Sequence, residues 1–169
     1  SSLNLDSSRI SGNSADQHGG GVHFEGGSHA ASFTGNLFDD NSAQLGGALW
    51  LSTSQAHCGN NRDLSLVNST VPGNFGSAVH LDGGHLAVLF STITENYASG
   101  ISTESNAECL GVGHSIVAGN GAPDFTDNTF GNGFENLRHN LVSTAVDFLA
   151  GDETTIILKA GENAGLEPL

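Results

Sequence analysis

Residues 64–81 read LSLVNSTVPGNFGSAVHL, and residues 86–103 repeat their pattern as LAVLFSTITENYASGIST. In both segments an apolar residue stands three, eight and ten positions before an asparagine. Apolar residues spaced two apart are typical of strands that bury one face. The same frame recurs along the chain, at intervals of 22 to 33 residues, around Asn13, Asn41, Asn74, Asn96 and Asn120.

A repeat of this length with two or three short strands cannot bury its own hydrophobic face, so successive repeats must stack. Parallel strands about 4.8 Å apart let equivalent residues stack on one another. The sequence therefore predicts an all-β fold: a right-handed parallel β-helix, or β-solenoid, of about six to seven coils with roughly 22–33 residues per coil. We expect residues 1–169 to form a single parallel β-helix domain. The absence of an initiator Met or a signal segment indicates a fragment or a processed part of a longer chain.

The repeated asparagines have a structural interpretation and a functional one. At a tight corner, asparagine tolerates the left-handed backbone conformation, and its side-chain amide can bond the equivalent amide one rung away. A ligand-binding role is the alternative. We favour a structural Asn ladder, because buried polar groups must find partners and a ladder supplies them.

The charge balance excludes several classes of partner. Eighteen acidic residues face four basic ones, which gives a formal net charge of −14. Nucleic acid and anionic lipid surfaces are therefore poor partners. We expect no nucleic-acid binding and no direct membrane insertion, because an apolar run of about 18 residues is missing from the sequence.

After the asparagine, a Gly-rich turn leads into another strand, as in NSADQHGGGVHF (13–24) and NSAQLGGALWL (41–51). These segments, with HSIVAGN (114–120), RHNLVS (138–143) and NAGLEPL (163–169), resemble the parallel β-helix repeats of bacterial surface proteins. The resemblance is to the choice-of-anchor and polymorphic outer-membrane protein type, and it covers nearly the whole chain. It implies a secreted or cell-surface protein. The same motifs serve adhesins, sheath proteins and polysaccharide-active enzymes, so they identify the fold rather than the function.

We expect a non-enzymatic extracellular or cell-surface β-helix with a structural or adhesive role. The ends of a solenoid present unpaired strand edges, and Leu3 and Leu5 already follow the repeat. End-to-end self-association, or docking to other surface proteins, is the expected mode of assembly. The alternative is a carbohydrate-active β-helix, either a polysaccharide hydrolase or lyase or a glycan-binding module.

One outward position per turn separates the inward residues of the strand after the Gly-rich turn. Read in order, this position is occupied by His23, Trp50 and His80, which should form one column on one face. A Trp between two histidines is a candidate sugar-stacking or partner-binding strip if it is exposed. The other interpretation, which we prefer, is that the long insertion of the neighbouring coil covers Trp50.

No residue is assigned a catalytic role. Hydrolases on this fold need an acid and a base on adjacent rungs, and lyases need cations, whereas the four basic residues here are scattered. Asp39 and Asp40 are neighbours, but adjacent strand residues point to opposite faces. Glu95 shares the offset of Asp40 from the repeated asparagine.

No cofactor is predicted, and Ca²⁺ is a possible metal ligand of the chain. Asp124 and Asp127 have a loop-like spacing and could supply carboxylate oxygens to Ca²⁺. The competing interpretation is that these are solvated carboxylates that keep an extracellular protein soluble.

The two cysteines, Cys58 and Cys109, do not have the spacing of a zinc or redox motif. Two rungs separate them by about 9.6 Å, which exceeds the reach of a disulfide. The repeat that holds Cys58 is longer than its successor, and the extra residues could close that gap. We therefore predict a Cys58–Cys109 disulfide, which would indicate export to an oxidising compartment.

Overall fold

A computed structural model describes residues 2–27, 29–53, 64–104, 107–127, 134–136, 138–143 and 154–158. The strands of these residues form three parallel sheets, and each turn of the chain contributes one strand to each sheet. Sheet A contains β1 (Leu3–Asp6), β4 (Ala31–Thr34), β7 (Leu64–Val67), β10 (Gly84–Leu89), β13 (Ala107–Gly113) and β16 (Phe134–Asn136). Sheet B contains β2 (Arg9–Ser11), β5 (Leu37–Asp39), β8 (Thr70–Pro72), β11 (Thr92–Thr94), β14 (Ile116–Ala118), β17 (Leu141–Val142) and β18 (Ile156–Ile157). Sheet C contains β3 (Val22–Glu25), β6 (Leu49–Ser52), β9 (Val79–Leu81), β12 (Ile101–Thr103) and β15 (Phe125–Asp127).

This architecture confirms the predicted fold class, an all-β parallel β-helix. Strands β1 to β15 make five complete turns, and β16, β17 and β18 extend sheets A and B beyond them. The described residues therefore form fewer complete turns than the six to seven that were predicted. The right-handed sense stays a prediction.

The core lies between the three sheets and consists of stacked columns of like residues. In sheet A, Leu64 pairs with Leu86, which in turn pairs with Leu110, and all three side chains are buried. Because each strand alternates inward and outward residues, the apolar positions of the repeat from Ala31 onward face this core, whereas Leu3 of the first turn is exposed. The fully buried side chains include Phe33, Phe38, Leu49, Leu51, Leu64, Leu66, Leu81, Leu86, Ile93 and Ile101.

The repeated asparagines form a continuous row inside the solenoid. The Nδ2 group of Asn41 donates to Oδ1 of Asn74 at 3.1 Å, and that of Asn74 donates to Oδ1 of Asn96 at 3.0 Å. The row begins at Asn13 and continues to Asn120 with the same bonds. The backbone N–H of each asparagine donates to the same Oδ1 atom of the next, so every rung is tied twice to its successor.

We expected the asparagine itself to take the left-handed backbone conformation at this corner. The residue before it takes that conformation instead. Its φ is 54° at Asp40 and 56° at Glu95. Glycine takes the same place, with positive φ, in the other three turns, at Gly12, Gly73 and Gly119. The physical reason is that the asparagine must direct both its side chain and its N–H into the row, so the preceding residue reverses the chain.

A second polar row, which sequence reasoning did not identify, follows the corner between sheets A and B. Each backbone N–H in it donates to the side-chain oxygen one turn later, as from Ser69 to Ser91 at 3.2 Å and from Ser91 to Ser115 at 3.1 Å. The complete row is Ser8, Asn36, Ser69, Ser91, Ser115 and Asn140. Both edges of sheet B are therefore held by hydrogen-bonded side chains as well as by the backbone.

Candidate functional site

The outward residues of sheet C lie in one column, but most of that column is not on the surface. His23 pairs with Trp50, Trp50 with His80, and His80 with Ser102. Trp50 is 6% exposed because its indole stacks on the rings of His23 at 4.3 Å and His18 at 5.2 Å. His80 is 2% exposed, so His23 alone among the three strip residues is exposed. The predicted strip is therefore not an open binding surface.

His80 has the surroundings of a buried neutral imidazole. Its Nδ1 atom is 2.7 Å from the Ser102 hydroxyl, and its Nε2 atom is 3.9 Å from a carboxylate oxygen of Glu104. Burial lowers the pKa of His80 below its usual 6.5, and the nearby carboxylates of Glu104 and Asp82 oppose this only in part. A serine beside a neutral histidine has the composition of a nucleophile and base. Here both side chains are buried, so the pair is better explained as a cross-strand contact.

We expect the stability of the protein to decrease as the pH falls below about 6.5, in part because of His80. Its pKa is lower in the folded state, so the unfolded chain binds the proton first. Added acid therefore stabilises the unfolded state relative to the folded state. Thermal unfolding from pH 7.5 to 5.0 tests this, with His80→Gln as the control that keeps a partner for Ser102. The Tm of the wild type should fall by at least about 2 °C more than that of the variant. Equal decreases would contradict the assignment.

A cleft of about 320 Å³ lies at the corner that ends sheet B and gathers three carboxylates. It is lined by Asp39, Asp40 and Glu95, with Gly73 between the last two along the helix axis. The expectation that Asp39 and Asp40 point to opposite faces is wrong. The reason is that Asp40 is not in the strand but at the left-handed corner, which turns its side chain into the same cleft.

The three carboxylates of this cleft differ in whether a neighbouring side chain holds them in place. Arg9 donates two hydrogen bonds to Asp39, and this contact lowers the pKa of Asp39 below its ordinary value. Asp39 is therefore an ionised, tethered group. Asp40 and Glu95 are exposed, and they can accept hydrogen bonds from a molecule in the cleft.

The structure describes the side chain of only one of the two candidate calcium ligands, Asp124 and Asp127. Asp124 is fully buried, where Oδ1 accepts from Nδ2 of Asn120 at 3.0 Å and Oδ2 accepts from the N–H and hydroxyl of Ser143 at 2.7 and 2.8 Å. Its carboxylate thus caps the Asn ladder. The backbone of Asp127 lies in β15, and its side chain is outside what the structure describes. Among the described residues, no group of three or more His, Cys, Asp or Glu side chains could hold a metal ion.

Cys109 is buried in β13, opposite His85 of β10. Cys58 lies outside the described residues. The Cys58–Cys109 disulfide therefore stays a prediction.

Sequence reasoning missed the exposed aromatic residues that border sheet B. Phe75 and Tyr97 are 48% and 63% exposed, and their rings stack at 3.9 Å with an angle of 9°. A second stack, at the opposite border, joins the exposed side chains of Phe90, His114 and His139 with 4.9 Å between successive rings. The sequence contains a pattern from which the first stack could have been predicted, because Phe75 and Tyr97 each directly follow a ladder asparagine in consecutive repeats.

Within the part of the chain that the structure describes, no helix is long and apolar enough to cross a membrane. Comparisons with protein-family models, with curated proteins and with solved structures find no match to this chain.

Proposed function

We propose that this chain is a non-enzymatic β-helix of the cell surface or extracellular space with a structural and adhesive role. One observation carries the proposal. The three large aromatic side chains that are exposed among the described residues all border sheet B: Phe75, Phe90 and Tyr97. Soluble proteins rarely concentrate such residues on one side unless that side binds another molecule.

The rigidity of sheet B supports an adhesive role. The Asn ladder holds one of its edges and the serine-rich row holds the other, so the exposed rings project from a backbone with little freedom to move. A pre-organised surface loses less conformational entropy when it binds. The resemblance to bacterial surface proteins and the predicted disulfide support an extracellular location.

A polysaccharide hydrolase is the second candidate, and the cleft at the end of sheet B is what favours it. Asp40 and Glu95 both line the cleft, and two turns separate them by about 9.6 Å along the axis. That spacing is near the range of carboxylate pairs in inverting glycosidases. We rank this function second because both carboxylates are exposed, whereas the catalytic acid of such a pair is typically held in a pocket that excludes water.

Binding of fluorescently labelled protein to bacterial envelope fragments tests the proposal. We expect saturable binding by the wild type and a loss of about tenfold or more in a Phe75→Ser/Tyr97→Ser double variant. Ile156→Ser is the matched control, because it also removes an exposed apolar side chain, but from β18, a strand that contributes no ring to either aromatic stack, and it should bind normally. Equal binding by the double variant would contradict the proposal. Release of reducing ends from polysaccharides, abolished by Glu95→Gln, would favour the hydrolase.

The exposed edge of β1 has a proposed partner of its own. Among the described residues β1 pairs with β4 alone, and the half-buried Leu5 and Ile10 of the same turn pack against the core. An unpaired strand edge beside apolar residues is a template for another strand. We propose that either further coils of a longer chain or a second copy of this chain covers it, the latter in keeping with end-to-end assembly.

A further inference from the structure

The stack of Phe75 and Tyr97 is formed by residues that closely follow, along the chain, two residues of the carboxylate cleft. In the chain, Gly73 precedes Phe75 by two residues, and Glu95 precedes Tyr97 by two. Gly73 and Glu95 both line the cleft, so each aromatic ring belongs to a turn that also contributes to the cleft wall. An apolar platform and a polar cleft thus adjoin at one corner of the solenoid.

Small residues flank the two rings along the helix axis. In the turn before Phe75, the equivalent residue is Ser42, which pairs with it. In the turn after Tyr97, the equivalent residue is Gly121, because the N–H groups of Tyr97 and Gly121 make equivalent backbone bonds. The ring faces that are not used in the mutual stack therefore meet a serine on one side and a glycine on the other. Each outer face is accessible to a flat or puckered ring of another molecule.

The polar groups of the cleft are mostly hydrogen-bond acceptors. The exposed carboxylates of Asp40 and Glu95 are acceptors only, and Arg9, which donates to Asp39, is the one basic group in the lining. A ligand that fits must therefore bring many donors and no strong negative charge. The net charge of −14 acts in the same direction, because it repels polyanions at long range.

We propose that the Phe75–Tyr97 stack and the adjoining cleft form a binding site for a neutral, hydroxyl-rich polysaccharide. The C–H faces of pyranose rings pack on the outer faces of the aromatic pair, and the sugar hydroxyls donate to Asp40 and Glu95. This inference rests on the proposed adhesive function and gives its ligand a chemical class.

Affinity gel electrophoresis with three soluble neutral polysaccharides (hydroxyethylcellulose, soluble starch and a mannan) and one polyuronate (alginate) tests the site. We expect at least one neutral polymer to retard the wild type and alginate not to. Tyr97→Ala should weaken the retarding interaction by about tenfold, whereas Tyr97→Phe, which keeps the ring, should stay within about threefold of the wild type. Glu95→Ala should weaken it by about fivefold through the lost acceptor, and Ile156→Ser should have no effect.

Three outcomes would overturn the inference: no retardation by any neutral polymer, stronger retardation by alginate, or unchanged affinity in Tyr97→Ala. The adhesive function is judged separately, by binding to envelope fragments. If the Phe75→Ser/Tyr97→Ser variant loses that binding while neutral polymers never retard the wild type, the surface is adhesive but its ligand is not a neutral polysaccharide. If neither assay detects binding, both proposals fail.

Discussion

Replacement of Asn74 by alanine is expected to lower the free energy of unfolding by about 4 kcal/mol or more. Nδ2 of Asn74 donates to Oδ1 of Asn96 at 3.0 Å and to the carbonyls of Phe38 and Pro72 at 2.9 and 2.8 Å. Oδ1 accepts from both the N–H and the Nδ2 group of Asn41. The alanine leaves the buried N–H of Asn41 without its acceptor and removes one bond each from Nδ2 of Asn41, Oδ1 of Asn96 and the carbonyls of Phe38 and Pro72. A buried group that loses its partner costs about 1–3 kcal/mol.

The matched control is Asn13→Ala at the exposed end of the same ladder. Asn13 donates to Asn41, but it accepts nothing from a preceding turn in the described residues, and its side chain is exposed. Water can replace its bonds, so we expect a loss below about 1 kcal/mol. Urea unfolding followed by circular dichroism measures both values. Similar losses at the two positions would mean that the ladder does not stabilise the solenoid through burial.

Replacement of Gly76 by alanine is expected to cost about 4 kcal/mol, the second large effect. A Cβ atom on Gly76 would overlap the carbonyl oxygen of Ala43 in the preceding turn and would lie 2.9 Å from that of Gln44. Both of these atoms belong to the backbone, so the clash cannot be relieved by rotating a side chain. The positive φ of Gly76, 86°, adds the strain that any L side chain has in this region.

Gly12→Ala separates these two contributions. Gly12 also has a positive φ, 67°, but no atom lies within 4 Å of the Cβ position. We expect a loss of about 1 kcal/mol from backbone strain alone. The difference between the two variants in Tm and in unfolding free energy then reports the close approach of adjacent turns at Gly76. A Gly76→Ala variant as stable as Gly12→Ala would be incompatible with this packing.

The strands of sheets A and B could be located from the sequence because the inward residues repeat at a fixed distance from the asparagine. Leu64, Leu66 and Val71, for example, are all fully buried and were aligned in the repeat. The polar character of the Ser69 position was also visible, but its hydrogen bonds were not. A backbone N–H that needs a side-chain acceptor one turn away becomes evident only when the two turns are stacked.

The exposure of the aromatic side chains could not be predicted from the sequence. Trp50 was a candidate surface residue, although we preferred the interpretation that the neighbouring insertion covers it; it is buried, and His18 and His23 stack on it. Phe75 and Tyr97 follow ladder asparagines and could have been taken for core residues. Whether an outward ring is covered depends on side chains from other turns, which a single repeat does not contain.

The sequence by itself determined the parallel β-helix, because a period-two pattern that recurs with an inward asparagine can bury its apolar face only by stacking turn on turn. It also determined the acidic character that disfavours polyanionic ligands. Only the tertiary structure decided which residues take the left-handed corners, which carboxylates meet in the cleft and which aromatic rings stay exposed. Those features depend on the path of the chain between strands, where a corner at Asp40 or Glu95 redirects side chains that strand alternation would place elsewhere.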